Sequence, residues 1–169
     1  AGDLDDLGAL VAEAGWNQTA QDWERMLALG TGRGVTDGTG RVIASAVTMP
    51  YAGVGWIGMV LVAGAWRRRG IATGLLDWAV STLRDAGLTP GLDATPAGQE
   101  VYRRLGFRGT LALTRWRRQG FDASPSEPGP EPATVADLAW IAALDARAFG
   151  AGRRELLARW LADNAPGWT

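Results

Sequence analysis

Three consecutive arginines, Arg67, Arg68 and Arg69, stand directly before Gly70-Ile71-Ala72-Thr73. The apolar run over residues 56–62 before them reads as a strand, and residues 71–83 after them have helical periodicity. The basic turn therefore opens a helix. Backbone N–H groups in the first turn of a helix have no partners within it and lie at the positive end of its dipole, so they attract phosphate oxygens. Gly70 and Ala72 leave room for close approach, and arginines beside them can add forked, charge-assisted hydrogen bonds. Residues 67–72 are thus a candidate pyrophosphate cradle.

The missing residue types restrict the chemistry further. The 169 residues include no histidine, cysteine or lysine, and all 17 basic side chains are arginines. Within this chain that removes Ser-His-Asp triads, Cys/His nucleophilic pairs, lysine Schiff bases and His- or Cys-ligated zinc. A reaction whose activated group arrives on a cofactor, with the protein supplying orientation and a few polar groups, fits these limits. The net charge of −1 argues against a protein built to coat nucleic acid. No apolar run reaches membrane-spanning length, and the acidic start Ala1-Gly2-Asp3-Leu4-Asp5-Asp6 is unlike a signal peptide, so a cytoplasmic protein is expected.

The elements that must position the turn follow from periodicity. Leu4, Leu7, Leu10 and Val11 mark a first helix, and Trp23, Met26 and Leu27 a second that ends before Gly30. Residues 33–36 and 41–49 read as strands joined by a hairpin turn at Asp37-Gly38-Thr39-Gly40. Residues 56–62 suit a central strand buried on both faces. Ile71, Leu75, Leu76, Trp78, Ala79 and Leu83 give the next helix one broad apolar face, and Gly87 ends it. After a short strand around residues 91–94, Thr95-Pro96 is a capping pair for a helix to Leu105, with Gly106-Phe107 as a Schellman ending. Residues 111–116 are expected to form another strand.

Residues 119–133 are rich in proline, serine, glycine and glutamate and read as a linker. Beyond it, an offset of 134 aligns Asp137 with Asp3, Leu138 with Leu4, Leu144 with Leu10, Arg159 with Arg25 and Leu161 with Leu27. The sustained register favours a true repeat over shared composition. Residues 134–169 are then expected to be the first helices of a second domain, and the chain a fragment of a longer tandem protein. Without its sheet, this helix pair is expected to dock loosely.

Arg67-x-x-Gly70-x-Ala72, between its strand and helix, resembles the Q/R-x-x-G-x-G/A signature of the GNAT superfamily of N-acetyltransferases. Val101-Tyr102-Arg103-Arg104-Leu105-Gly106-Phe107 is similar to the superfamily's Y-x-x-x-G-F motif, and the elements arrive in the same order. The resemblance covers residues 1–118, as a domain whose first strand is absent. Residues 144–150 resemble the opening of a second such domain in tandem members.

This resemblance implies an α/β fold with a mixed, mostly antiparallel sheet flanked by helices. It implies acetyl-CoA as acyl donor, no metal, and a small-molecule or peptide primary amine as acceptor, attacked directly in a ternary complex. Neither a nucleic acid nor a membrane is an expected partner; a dimer or an intramolecular contact between tandem domains is compatible with the family. Main-chain groups of Val60, Leu61 and Val62 would hold the pantetheine arm, and Arg67, Arg68, Arg69, Gly70, Ile71, Ala72 and Thr73 the pyrophosphate. Tyr102 would protonate the departing thiolate, a transfer between groups of ordinary pKa ~10 and ~8.5. For a general base, Asp93 and Glu100 are the nearest carboxylates, each equally readable as a turn anchor and a solvated helix residue; a water chain or no dedicated base are the other readings. The absence of an evident base also leaves a non-catalytic acyl-CoA-binding module as the alternative function.

Two other features carry no such weight. Gly30-Thr31-Gly32-Arg33-Gly34 has the glycines of a dinucleotide fingerprint but follows a helix and leads into a strand, the reverse of the required order. Most of the nine tryptophans lie in amphipathic patterns and read as core or interface.

Overall fold

The computed structural model describes residues 2–114 and 132–163. Two helices, α1 (Gly2–Glu13) and α2 (Ala20–Leu29), precede strands β1 (Thr31–Thr36), β2 (Val42–Pro50) and β3 (Val54–Val62). Then come α3 (Ile71–Asp85), β4 (Thr89–Leu92) and α4 (Pro96–Arg104), and after the undescribed stretch α5 (Leu138–Phe149) and α6 (Arg154–Ala162). The four strands form one sheet in sequence order, β1-β2-β3-β4. The first two pairings are antiparallel and β3–β4 is parallel, so the sheet is mixed as expected.

Helix starts and stops follow local chemistry. Thr19 and Asp22 form a capping box at α2, with the Thr19 amide donating to the Asp22 carboxylate at 2.7 Å. In the β1–β2 turn the Asp37 carboxylate accepts from the Thr39 amide at 2.8 Å and the Arg41 amide at 3.2 Å, which closes the hairpin. Thr95 caps α4 by accepting from the Gly98 amide, and Pro96 occupies the first turn. At its other end Phe107 N–H donates to the Tyr102 carbonyl and Gly106 N–H to that of Arg103, with Gly106 left-handed: the expected Schellman pattern.

Two layers cover the sheet. Leu7, Leu10 and Val11 of α1 and Trp23 of α2 pack with Val47, Met59 and Leu61 on one face. Leu76, Ala79 and Leu83 of α3 pack with Ile57 on the other, and Leu75 with Ala44 and Ala46. Gly30, which ends α2, and Gly32 in β1 are packing residues: a Cβ at Gly30 would run into the Thr48 carbonyl oxygen, and one at Gly32 into the Leu27 side chain.

Two sequence expectations change. Residues 111–114 form no strand, and Leu111 and Leu113 are 78% and 66% exposed. Their apolar alternation lacks a ladder partner among the described residues, and a strand needs one. Residues 115 and 116 lie outside the described residues, as does most of the expected linker. The last strand of the sheet, placed around residues 91–94, runs Thr89–Leu92 instead. In β3, by contrast, burial on both faces is found as expected: Ile57 is buried under α3, and Met59 and Leu61 under α1 and α2.

The α5–α6 pair rests on α2 and on the turn between β2 and β3. Phe149 lies 5.6 Å from the Tyr51 ring and 5.2 Å from that of Trp56, and Asp163 accepts from Arg25 of α2 at 2.7 Å. Leu138, Ala151, Leu156 and Leu157 are buried, whereas Trp140 and Leu144 are exposed. Much of the face expected to lack a partner therefore has one.

Candidate active site

β3 and β4 run side by side only from Val54–Thr89 to Ile57–Leu92, where β4 ends. Beyond Ile57, β3 continues to Val62 with β2 on one side and, among the described residues, no strand on the other. Apart from the Val62 carbonyl, which accepts from Arg67, the main-chain groups that residues 58–62 direct to that edge are therefore open to an extended ligand that would add as a strand. Val60, Leu61 and Val62 lie along it.

A bulge interrupts β3 at the start of this open edge. Ser45 pairs with Leu61 and Val47 with Gly58, so Ala46 alone faces two residues, Met59 and Val60. Met59 is left-handed, with φ 53°, one of only two non-glycine residues so placed among those described. The extra residue shifts the side-chain alternation. Ile57 packs under α3, whereas Met59 and Leu61 pack under α1 and α2, and Val60 and Val62 take over the α3 side. The Ser45 hydroxyl, buried in the sheet, donates to the Met59 carbonyl at 2.9 Å. Because the peptide plane is trans, this directs the Val60 N–H the opposite way, away from β2.

The strand leads through a single 3₁₀ turn, Gly64–Trp66, into the arginine turn. Arg68 is the second left-handed non-glycine, with φ 59°, and Gly70 follows at φ 78° as the N-cap of α3. No side chain caps this helix, and its first intrahelical bond is from Gly74 N–H to the Gly70 carbonyl. The amides of Ile71, Ala72 and Thr73 are left for a ligand. A Cβ built on Gly70 meets nothing within 4 Å, so the cradle is open rather than filled by the protein.

The three arginines have different tasks. Arg67 donates through Nε to the Val62 carbonyl at 2.9 Å and through Nη2 to Glu13 at 3.1 Å, while the Gly64 amide donates to the same Glu13 oxygen at 2.7 Å. Arg67 thereby ties the turn to the end of β3 and to α1. Arg69 lies over the Trp66 ring at 4.8 Å and donates to the Ala65 carbonyl at 3.2 Å. Arg68 is exposed, with no hydrogen-bond or ion-pair partner for its guanidinium among the described residues. It is the arginine whose charge is uncommitted.

Tyr102 projects from α4 into the cluster under α3, in contact with the group that includes Ile57, Leu76 and Val60. Its ring stands edge-on to Phe107 at 6.2 Å and lies against Gly98, where an added Cβ would come within 2.8 Å of the ring. Burial pushes its phenol above the ordinary value of 10. No described residue hydrogen-bonds its hydroxyl, so it is neutral and unengaged at physiological pH, as a group able to give up a proton must be. Neither candidate base stands out: Asp93 is exposed just past β4, and Glu100 is exposed and paired with Arg104 at 3.1 Å. Among the described residues no cluster of acidic, histidine or cysteine side chains has the makings of a metal site, and no helix is long and apolar enough to cross a membrane.

Sequence reasoning missed Glu13, Ser45 and the Met59 bulge. Glu13 lies 54 residues from Arg67. Nothing in a single sequence signals either partner of the bulge.

The fold recurs in solved structures. One is an acetyltransferase assignment from Pyrococcus horikoshii, with TM-score 0.64 and 17% identity over 95% of this chain and 59% of that one. Another, from Staphylococcus aureus, gives TM-score 0.58 and 16% identity over 70% of this chain and 93% of its own. A third, from Clostridium acetobutylicum and solved with acetyl-CoA, gives 0.55 and 20% over 68% and 86%. At these identities the likeness establishes the fold alone. No curated protein matches the sequence. The sequence pattern of the Acetyltransferase (GNAT) family matches residues 11–107, more than half of the chain, a span that holds the open strand edge, the uncapped helix start and Tyr102. The chain belongs to the GNAT acetyltransferase family.

Proposed function

We propose that the protein is an N-acetyltransferase that moves the acetyl group of acetyl-CoA to a primary amine by direct attack in a ternary complex. The observation that carries this reading is the unpaired edge of β3, residues 58–62, which leads into the uncapped start of α3. An extended pantetheine arm fits the first and a pyrophosphate the second. Val60, Leu61 and Val62 hold the arm through their main chain, and the turn from Arg67 to Thr73 holds the phosphates through its amides and the Arg68 guanidinium. The Val60 N–H supplies a donor to the thioester oxygen as charge develops there. The amine nitrogen bonds to the acetyl carbon, the carbon–sulfur bond breaks, and the sulfur takes the Tyr102 proton. The excess proton of the amine leaves to solvent, since neither Asp93 nor Glu100 is set apart by burial or by a catalytic partner, and the Tyr102 phenolate regains a proton from solvent before the next turnover.

The α5–α6 pair reads as the opening of a second domain of the same kind, given its register with α1–α2 and its docking through Phe149 and Asp163. Trp56 and the α2 side of the sheet then bound the acceptor cleft, with the tandem segment as a neighbouring wall. A cytoplasmic site of action accords with the cysteine-free composition. The lack of an evident base favours a second reading, a non-catalytic acyl-CoA-binding module. Calorimetry with acetyl-CoA, followed by release of free thiol across a panel of primary amines, decides between them. Binding with amine-dependent thiol release supports the enzyme, binding without it supports the module, and absence of binding refutes both.

A further inference from the structure

The Met59 bulge would not hold its shape on backbone pairing alone. Its two residues face a single residue of β2, and Met59 adopts a left-handed conformation that is unfavourable for a residue with a Cβ. A strained peptide next to an open edge needs an external restraint if its N–H is to keep one direction. The only side chain that bonds to it among the described residues is that of Ser45, whose hydroxyl donates to the Met59 carbonyl at 2.9 Å. Ser45 is 2% exposed and sits between Ala44 and Ala46, both fully buried, so water does not substitute for it. Serine here is also unexpected on packing grounds, since it is one of two buried polar residues in a sheet core otherwise lined with valine, isoleucine and alanine.

We infer that Ser45 is a positioning residue for acyl transfer: its hydroxyl fixes the Met59–Val60 peptide so that the Val60 N–H stays aimed at the open edge of β3, where the thioester carbonyl of the acyl donor lies. The inference rests on the acetyltransferase reading above. Carbonyl and N–H of one trans peptide point in opposite directions. Holding the Met59 oxygen toward β2 therefore holds the Val60 hydrogen away from it. Without the hydroxyl, the buried Met59 oxygen has no donor, and the peptide rotates to find one. Affinity for the donor molecule, spread over the phosphate cradle and the rest of the arm, is largely untouched by that rotation. Polarisation of the thioester is lost.

The test uses the full chain with acetyl-CoA labelled with ¹³C at the thioester carbonyl, and needs no acceptor. In the infrared spectrum, the carbonyl stretch of the bound donor lies at lower frequency than in water for the native protein, because the Val60 N–H polarises it. In Ser45→Ala this displacement falls by at least half, with the dissociation constant from calorimetry changed less than about threefold. Ser45→Thr, which restores a hydroxyl, recovers the displacement. Should the alanine variant fail to fold by circular dichroism, Ser45→Cys takes its place, with a weaker donor and an intermediate displacement. An equal displacement in the native and hydroxyl-free proteins overturns the role of Ser45 and leaves the acetyltransferase reading standing. Failure of the native protein to bind acetyl-CoA overturns both.

Discussion

Gly70 offers a quantitative test of the phosphate cradle. It stands at φ 78° as the N-cap of α3, with open space where a Cβ would project. Any side chain here takes on the left-handed penalty of about 1–2 kcal/mol but meets no clash. For a chain of this size that lowers Tm by roughly 2–8 °C. Gly70→Gln and Gly70→Glu share this penalty and nearly the same shape. They differ by one negative charge at the positive end of a helix. The charge stabilises the ligand-free fold by about 0.3–1 kcal/mol, so the glutamate variant melts at or slightly above the glutamine variant. Toward a pyrophosphate the sign reverses. At a separation of about 5 Å each pair of like charges repels by ~1 kcal/mol in water-like surroundings and ~3 kcal/mol at an effective dielectric near 20. Calorimetry with coenzyme A should therefore show Gly70→Glu binding at least about fivefold more weakly than Gly70→Gln, and the gap should narrow as salt is raised. If both folded variants bind coenzyme A alike at low salt, the start of α3 does not hold the phosphates.

Tyr102→Phe should lower turnover by ~10- to 100-fold while the KM for acetyl-CoA moves less than about threefold; unchanged turnover would return Tyr102 to packing against Phe107 and Gly98. Because burial raises the Tyr102 phenol above 10, the turnover it supports persists through neutral and mildly alkaline pH and declines only above 10. Tyr51 is raised as well, first by burial and also by Asp145. The folded state keeps both phenolic protons above the pH at which the unfolded chain loses them. Stability is thus intact below pH ~10 and falls as pH climbs from there toward the folded values, which chemical denaturation across pH 8–11 would reveal as a declining midpoint. Amide hydrogen exchange should be slower in α3, whose Leu75, Leu76, Ala79 and Leu83 are buried against the sheet, than in α5–α6, where Trp140 and Leu144 stay exposed. Equal protection would mean that the second helix pair is integral to the first domain.

What the sequence determined by itself is local. The Thr95-Pro96 start, the Gly106-Phe107 ending, the Asp37–Gly40 turn and the Gly70 opening of α3 each depend on hydrogen bonds or dihedral angles within a few residues, so residue type and spacing were enough to locate them. The apolar periodicity of α3 likewise identified its buried face, because a regular helix carries its own geometry. The tertiary structure decided the rest, since it depends on which distant segments meet. Residues 111–114 alternate like a strand yet find no partner among the described residues, whereas β4 ends at Leu92 and, among the same residues, leaves the edge of β3 beyond Ile57 without a strand. Arg67 reads as a phosphate ligand by type, and only the fold shows that its guanidinium also meets Glu13, 54 positions away. The bulge at Met59 has no signature of its own, because it is a mismatch of one residue between two strands, and only their pairing creates it. Sequence thus located the uncapped start of α3, and the sheet's register decided which residue of β3 bulges beside the open edge.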